Sequence, residues 1–368
     1  MKKRVLIFCH GYNSPFIDVC NQYAAVFNRS QYEVTVAYLV GEPTEEVSQK
    51  TLAEHVYFFN QAKKTVRGAK LFALKEVLQF CREKQFSIII CHRYKPVYII
   101  SLVSLFIKIP KIFAVMHAMG TLKRCWRKLF IYLFSRKQVI FAGVSNAVRQ
   151  DILQAAPFLN KDKVVVLSNA LDVAAFEQLL IEREQARREL GLQIDDFVLG
   201  TMGRLIDDKD HESLIRAFAE ITVFFPQVKL VIMGKGPQEK ALKQLARQYE
   251  ITHKIIFTGY LERSFRYIKA FDIYVSTSIK EAFGRALLEA MVGRVPIIAT
   301  AVNGVPEVVG AAGILVPEKQ LPLLIKAMQD MINLPAEQLK LFGETGYKRA
   351  CSCFSLEKFG ENFLKLIC

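Results

Sequence analysis

Short apolar runs rich in β-branched residues recur along the chain, separated by longer stretches with helical periodicity. The first set is "RVLIFC" (4–9), "EVTVAYL" (33–39), "FSIIIC" (86–91), "KIFAVM" (111–116), "VIFAGV" (139–144) and "KVVVLS" (163–168). The second is "FVLGTMG" (197–203), "VKLVIMG" (228–234), "KIIFTG" (254–259), "DIYVS" (272–276), "PIIAT" (296–300) and "GILV" (313–316). Runs that are apolar without alternation suit parallel strands buried on both faces. Strand–helix alternation twice over predicts an α/β protein with two Rossmann-like, doubly wound domains. The boundary is expected near "SNALDVAAF" (168–176), giving domains 1–172 and 173–350 and a C-terminal helix over 351–368 that packs back on the first domain. A polar helix from Glu177 to Leu190 is expected to lead into the second sheet.

Ligands of open α/β sheets bind beyond the carboxyl ends of the strands. The first half offers His10-Gly11, His92-Arg93, His117 and Ser145-Asn146 there. The second offers Gly203-Arg204, Gly234-Lys235-Gly236, Gly259-Tyr260, Ser276-Thr277-Ser278 and Asn303-Gly304. Each taken alone also reads as a turn, a structural histidine or a solvated cation. Together they suit close backbone approach to a phosphate, with cations beside it. No Gly-Lys-Ser/Thr follows Gly234 at the spacing of a P-loop.

The stretch "KEAFGRALLEA" (280–290) sets Glu281 and Glu289 eight residues apart, around Phe283-Gly284-Arg285. Its alanines and leucines predict a helix. Glu281 is then a first-turn acid and Glu289 a residue of the polar face.

Charge divides the chain unevenly. Residues 1–172 hold 25 Lys/Arg against 11 Asp/Glu, a balance of +14, whereas 173–368 hold 25 against 24. No acid occurs between Lys84 and Gln150. The first half therefore suits an anionic partner: nucleic acid, phospholipid or a phosphorylated acceptor. The eight cysteines fit no zinc spacing and read as free thiols of a reducing cytoplasm. The apolar stretch Val97–Met116 is broken by Lys108, Pro110 and Lys111 before it reaches the ~20 residues a membrane span needs. It reads as a buried helix and a buried strand.

"STSIKEAFGRALLEAMVGRVPIIATAVNGVPEVVG" (276–310) resembles the nucleotide-sugar signature of retaining glycosyltransferases of family 4, with its Glu-x7-Glu pattern at Glu281 and Glu289. "GRLIDDKDHESLIRAF" (203–218), "GKGPQEKAL" (234–242), "GVSNAV" (143–148) and "SNALDVAAF" (168–176) are similar to other segments of that family, in the same order. The resemblance implies the GT-B fold, two Rossmann-like domains facing each other across a cleft, with no cofactor or metal needed. It implies that Arg204 and Lys209 hold the donor diphosphate, that Glu289 bonds the ribose, and that Glu281 and His117 lie near the sugar. Donor contacts are expected from Gly203, Gly234, Gly259, Tyr260, Ala282, Phe283, Gly284 and Arg285, and first-domain loop contacts from His10, Gly11, Tyr12 and Asn13. Eight residues of helix span about 12 Å. On that reading the two acids reach opposite ends of an extended nucleotide sugar, unlike the acid pair of a glycosidase, which flanks one bond at about 5–9.5 Å. The chain departs from the family at Lys209-Asp210, where a Lys-Gly pair is usual, and at "HGYNSPF" (10–16), which has one loop glycine instead of two.

The segment "TLKRCWRKLFIYLFSRKQ" (121–138) mixes six cations with Trp126, Phe130, Tyr132 and Phe134. Two readings stand: an amphipathic helix on anionic lipid, with Lys123, Arg124, Trp126, Arg127 and Lys128 facing it, or a Rossmann helix with a solvated basic face. The expectation is a peripheral enzyme on the cytoplasmic face of the inner membrane. It would move a sugar from a nucleotide-diphosphate sugar, expected to be a UDP-sugar, to a glycan or glycolipid such as lipopolysaccharide core. No nucleic-acid partner is expected. The alternatives are a catalytically inactive scaffold of the same fold and a basic nucleic-acid- or membrane-binding protein.

Overall fold

The computed structural model describes residues 2–12, 16–62, 71–134 and 138–367. It divides into two units, residues 1–170 with 356–368, and residues 171–355. In the first unit the strands are β1 (Lys3–Cys9), β2 (Tyr32–Tyr38), β3 (His55–Phe58), β4 (Ile88–His92), β5 (Lys111–Met116), β6 (Val139–Gly143) and β7 (Val164–Val166). They pair in the order β3-β2-β1-β4-β5-β6-β7, every pair parallel. In the second unit β8 (Phe197–Met202), β9 (Val228–Met233), β10 (Ile255–Gly259), β11 (Ile273–Ser276), β12 (Ile297–Thr300) and β13 (Gly313–Val316) pair in the order β10-β9-β8-β11-β12-β13, again all parallel.

Parallel strands need helical crossovers, which cover both faces of a sheet and bury the strands from both sides. β4 and β6 are buried at every position, as are the last five residues of β5. The apolar runs of the sequence therefore coincide with the observed strands to within a residue or two. The exception is β3, four residues at a sheet edge with half-exposed and exposed side chains in alternation. It buries too little to leave an apolar run. The stretch 97–116 is a helix, Tyr94–Val103, followed by β5.

The polar helix expected over 177–190 is two helices, Val173–Leu179 and Arg183–Glu189. Leu180 and Ile181 interrupt it because both are buried, and the Ile181 N–H donates to the Arg266 carbonyl at 2.8 Å. The second helix carries Arg187, 1% exposed. Its guanidinium donates to the carbonyls of Ala270 (3.1 Å) and Asp196 (2.8 Å) and to Asp272 Oδ2 (2.7 Å). Asp272 Oδ2 also accepts the N–H of Val198, tying the starts of β8 and β11 to one charge pair.

The helix Leu356–Ile367 belongs to the first unit. Phe363 is fully buried against the rings of Tyr23, Phe27 and Phe113, and Lys111 Nζ donates to the carbonyls of Leu366 and Ile367. The boundary on the C-terminal side thus falls at 355/356, after the long helix Ala336–Phe354, and not at 350.

Removing one partner of a buried ion pair strands the other without compensation, at a cost of about 3–5 kcal/mol. Asp272→Ala is expected to destabilise the second unit by an amount of that order, read as a lower urea midpoint at unchanged slope.

Candidate donor site and the histidine cluster of the first unit

Strand order reverses direction between β8 and β11 in the second unit. Such a switch point opens a crevice beyond the strand ends, because the crossover helices leave it on opposite faces. Arg204 follows β8. Lys209 ends a 3-10 turn, Asp207–Lys209, one step further. Glu281 follows β11, so three of the residues expected to act on the donor meet at this switch.

Hydrogen bonds fix the turn. Thr277, 3% exposed, shares its one hydroxyl proton between the carbonyls of Asp210 (2.9 Å) and Lys209 (3.1 Å). The Ile279 N–H donates to the Asp208 carbonyl at 3.0 Å. Lys209 and Glu281 then form an ion pair across the switch, their side chains 25% and 19% exposed. Arg204 is exposed and forms no ion pair among the described residues. An ammonium group has three donors, so Lys209 can hold a carboxylate and a phosphate oxygen together.

Glycines bring the neighbouring strand exits together. A Cβ on Gly234 would lie 1.8 Å from the Gly203 carbonyl oxygen, so only glycine lets these two backbones meet. Gly203 N–H donates to Met233 O, and Gly234 N–H to Gly259 O, both at 2.9 Å. Beside Gly259 the Tyr260 ring is 63% exposed.

The acidic pair requires a correction. The helix spans Arg285–Val292, with Gly284 as its N-cap at φ 92°. Glu281 therefore lies in the loop before the helix, and the ~12 Å separation along one continuous helix does not apply. Gly284 is the cause: its left-handed conformation starts the helix late, with no side-chain cap. Ala282 and Phe283 belong to the same loop, and Phe283 is buried edge-on against Phe354. Glu289 is on the helix and pairs with Arg285 at 3.2 Å, its side chain 14% exposed. Tyr274 lies close enough to both acids that their charges, after burial, help to hold its phenol well above the ordinary range. Its hydroxyl donates to Met202 O at 3.2 Å, joining β11 to β8. The sequence reading missed Tyr274, which looks like one more apolar residue of a buried strand.

Asp210 does not sit against the phosphate cations as a free charge. It adopts φ 45°, ψ 45°, the left-handed conformation a glycine would take, and caps the helix His211–Phe224. Its carboxylate accepts the Ser213 hydroxyl at 2.7 Å and the Ser213 N–H at 3.4 Å. A cavity of about 400 Å³ borders this turn, lined by Asp207, His211, Gln238 and Gln248 among others. It includes none of Arg204, Lys209, Glu281 and Glu289.

In the first unit the switch falls between β1 and β4. His10 follows β1, His92 ends β4 and His117 follows β5. His92 is fully buried, and its Nδ1 lies 2.9 Å from His117 Nε2, one nitrogen donating to the other. Tyr23 packs edge-on against His92, and Phe16 against His117. Burial and then the Arg93 charge lower the His117 pKa to about 3. Burial, Lys95 and Arg93 lower that of His10 to about 4. His92 is held well below the ordinary range by burial and by His117. These rings are therefore uncharged at neutral pH. Gly11 lies against the Val40 carbonyl. Tyr12 is committed to the fold: its ring packs on Tyr38 and Phe58 and its hydroxyl donates to Glu42 O at 3.0 Å. Asn13 lies outside the described residues. Metal-ligating clusters of three or more His, Cys, Asp or Glu do not occur among the described residues.

Residues 182–349 match the family model described as glycosyl transferases group 1. Over 182 residues the chain is 33% identical to an uncharacterized glycosyltransferase of Methanocaldococcus jannaschii, covering 48% of this chain and 46% of that protein. Over 139 residues it is 33% identical to the alpha-monoglucosyldiacylglycerol synthase of Streptococcus pneumoniae, covering 36% of this chain and 32% of that one. The matched stretch thus spans less than half the length of either relative. Among solved structures, HepE of Anabaena, in complex with UDP and glucose, superposes with a TM-score of 0.80 at 19% identity over 98% of both chains. That likeness is one of fold.

Two outcomes follow from this geometry. Asp210→Ala loses the cap but keeps the left-handed backbone and should cost about 1–2 kcal/mol, whereas Asp210→Gly offsets the lost cap by relaxing φ and should melt close to wild type. His10, His117 and His211, with pKa values of about 4, 3 and 4, and the buried His92 refuse protons that the unfolded chain accepts near pH 6.5. Their contribution to stability is complete above that pH and is lost as pH falls towards the folded values. The melting temperature should therefore drop between pH 6.5 and 4, with proton uptake on unfolding.

Proposed function

We propose, for a chain whose residues 182–349 match the family model of glycosyl transferases group 1, that the protein transfers a sugar from a nucleotide-diphosphate sugar to a hydroxyl of a glycan or glycolipid, with retention at the anomeric carbon. The observation that carries the reading is the gathering of Arg204, the Lys209–Glu281 pair and, through Tyr274, Glu289 at the β8/β11 switch. Cations and carboxylates alternate there as a nucleotide sugar requires: cations for the diphosphate, carboxylates for the hydroxyls of ribose and sugar.

In the proposed reaction the bond from the anomeric carbon to the diphosphate oxygen breaks, and the nucleoside diphosphate leaves. The acceptor oxygen bonds to the same face, and its proton passes to the departing phosphate. Arg204, Lys209 and the N–H groups at the start of the helix Arg285–Val292 meet the charge that develops on the leaving group. This division of labour calls for no metal. Glu281 orients the sugar, and its loop position leaves that side chain tied to Lys209 rather than to the helix. His117, in the first unit, serves as a neutral hydrogen-bonding group towards substrate. A UDP-sugar is the proposed donor, supported by the fold shared with a protein crystallised with UDP and glucose. A membrane-linked, anionic glycan is the proposed acceptor, supported by the +14 balance of residues 1–172.

Thermal melting against UDP, GDP, ADP and their sugar conjugates tests this. A ligand at a hundred times its dissociation constant stabilises by about 2.7 kcal/mol. UDP and its sugars should raise the melting temperature, and Arg204→Ala and Glu289→Ala should abolish the rise. A cooperative melt that moves with none of the nucleotides overturns the reading in favour of an inactive scaffold.

A further inference from the structure

The helix Cys125–Phe134 of the first unit has two apolar faces. Phe130 and Ile131 are buried, and Phe130 stacks on Tyr98 at 4.2 Å. That is the face a surface helix normally turns to its core. The opposite face, which ordinarily carries charge, holds Trp126, Leu129, Tyr132 and Leu133, which are 47%, 59%, 63% and 60% exposed. With Cys125 they fill an arc of roughly 120° at 3.6 residues per turn. Phe158, 42% exposed, extends the patch by packing edge-on against Tyr132. Clustered exposure of this kind marks a surface that something else covers.

The surrounding charge identifies the cover. Lys123 and Arg124 precede the helix and are exposed, and Lys128 flanks the apolar arc. Arg127 differs from expectation. Its guanidinium lies 4.5 Å over the Tyr94 ring and donates to Thr121 O at 2.6 Å, so it belongs to the fold and not to the outward face. No acid occurs from Lys84 to Gln150. A second copy docked through this patch by two-fold symmetry would set these cations against their equals. Nucleic acid would meet the cations but not the four apolar side chains. Apolar residues with tyrosine and tryptophan among them, ringed by cations, match the headgroup boundary of an anionic bilayer.

We propose that the outward face of Cys125–Phe134 docks the protein on an anionic phospholipid surface, with Leu129, Leu133, Trp126 and Tyr132 entering the headgroup boundary and Lys123, Arg124 and Lys128 meeting lipid phosphate. This face lies wholly within the first unit and acts whether or not the transferase reading holds.

Trp126 is the sole tryptophan of the chain, so its emission reports on this face alone. Full-length protein is titrated with vesicles of phosphatidylcholine containing phosphatidylglycerol, and with phosphatidylcholine alone. Trp126 emission should shift to the blue with the anionic vesicles and be quenched by brominated acyl chains. High salt should weaken the association. The pair Leu129→Ser and Leu133→Ser, exposed positions whose change leaves the core intact, should lower partitioning roughly tenfold or more at an unchanged melting temperature. Lys123→Glu with Arg124→Glu should remove the preference for phosphatidylglycerol.

Three results overturn the proposal: unchanged emission with anionic vesicles, unchanged partitioning of the folded double serine variant, or a lipid-free blue shift that grows with protein concentration as the mass doubles. The last would assign the face to a second copy. UDP-dependent melting of the same samples separates failure here from failure of the donor reading.

Discussion

The geometry of the second unit's site hangs on one buried hydroxyl. Thr277 leaves the end of β11 and shares its hydroxyl proton between two successive carbonyls of the turn that carries Lys209. With the Ile279 N–H on Asp208 O, it fixes that turn to a strand reached only some seventy residues later in the chain. The Lys209–Glu281 pair is a consequence of this strap. Two oppositely charged side chains are largely withdrawn from water because the backbones that bear them are already held together. Surface ion pairs contribute little on their own, since ordering two long side chains offsets their attraction. Here the backbone has met most of that cost, and the pair is positioned ready for a ligand.

The two units solve the same topological problem with different chemistry. Each places its polar residues at the point where strand order reverses. The second does so with paired ions and an exposed arginine. The first does so with imidazoles packed among aromatic rings and held neutral by burial and by the cations beside them. One site is suited to binding charge, the other to presenting hydrogen-bonding groups whose state does not change near neutral pH. The acid-free stretch from Lys84 to Gln150 adds a positive field around the neutral rings without placing a proton on them.

Most of the fold was legible because parallel strands buried on both faces leave continuous apolar runs, which no helix of a soluble face imitates. β3 escaped because it is an edge strand of four residues with water on one side. The break at Leu180 and Ile181 escaped because helix propensity is local, whereas the Ile181 N–H is taken by the carbonyl of Arg266 far along the chain. The site was read residue by residue more accurately than in its geometry. Glu281 and Glu289 stand out by spacing, but the positive φ of Gly284 that puts them on different elements is a backbone property that spacing does not carry. Arg127 shows the same limit: composition groups it with its basic neighbours, and only packing on Tyr94 separates it from them. Asp210 shows the converse. In the sequence it is only a departure from Lys-Gly, and in the structure it is a helix cap in a glycine's conformation.

The return of the helix Leu356–Ile367 to the first unit has a consequence for how the chain is made. Residues 171–355 are, in effect, an insertion within the first unit, whose core between Tyr23, Phe27 and Phe113 closes only when Phe363 arrives. During synthesis domains generally fold in order from the amino terminus. Here that order is inverted at its last step: the second unit holds all its strands and helices before the ribosome has delivered the final helix of the first. Until then Tyr23, Phe27 and Phe113 lack the cover of Phe363, and the first unit depends for its closure on a helix that emerges only after the whole of the second.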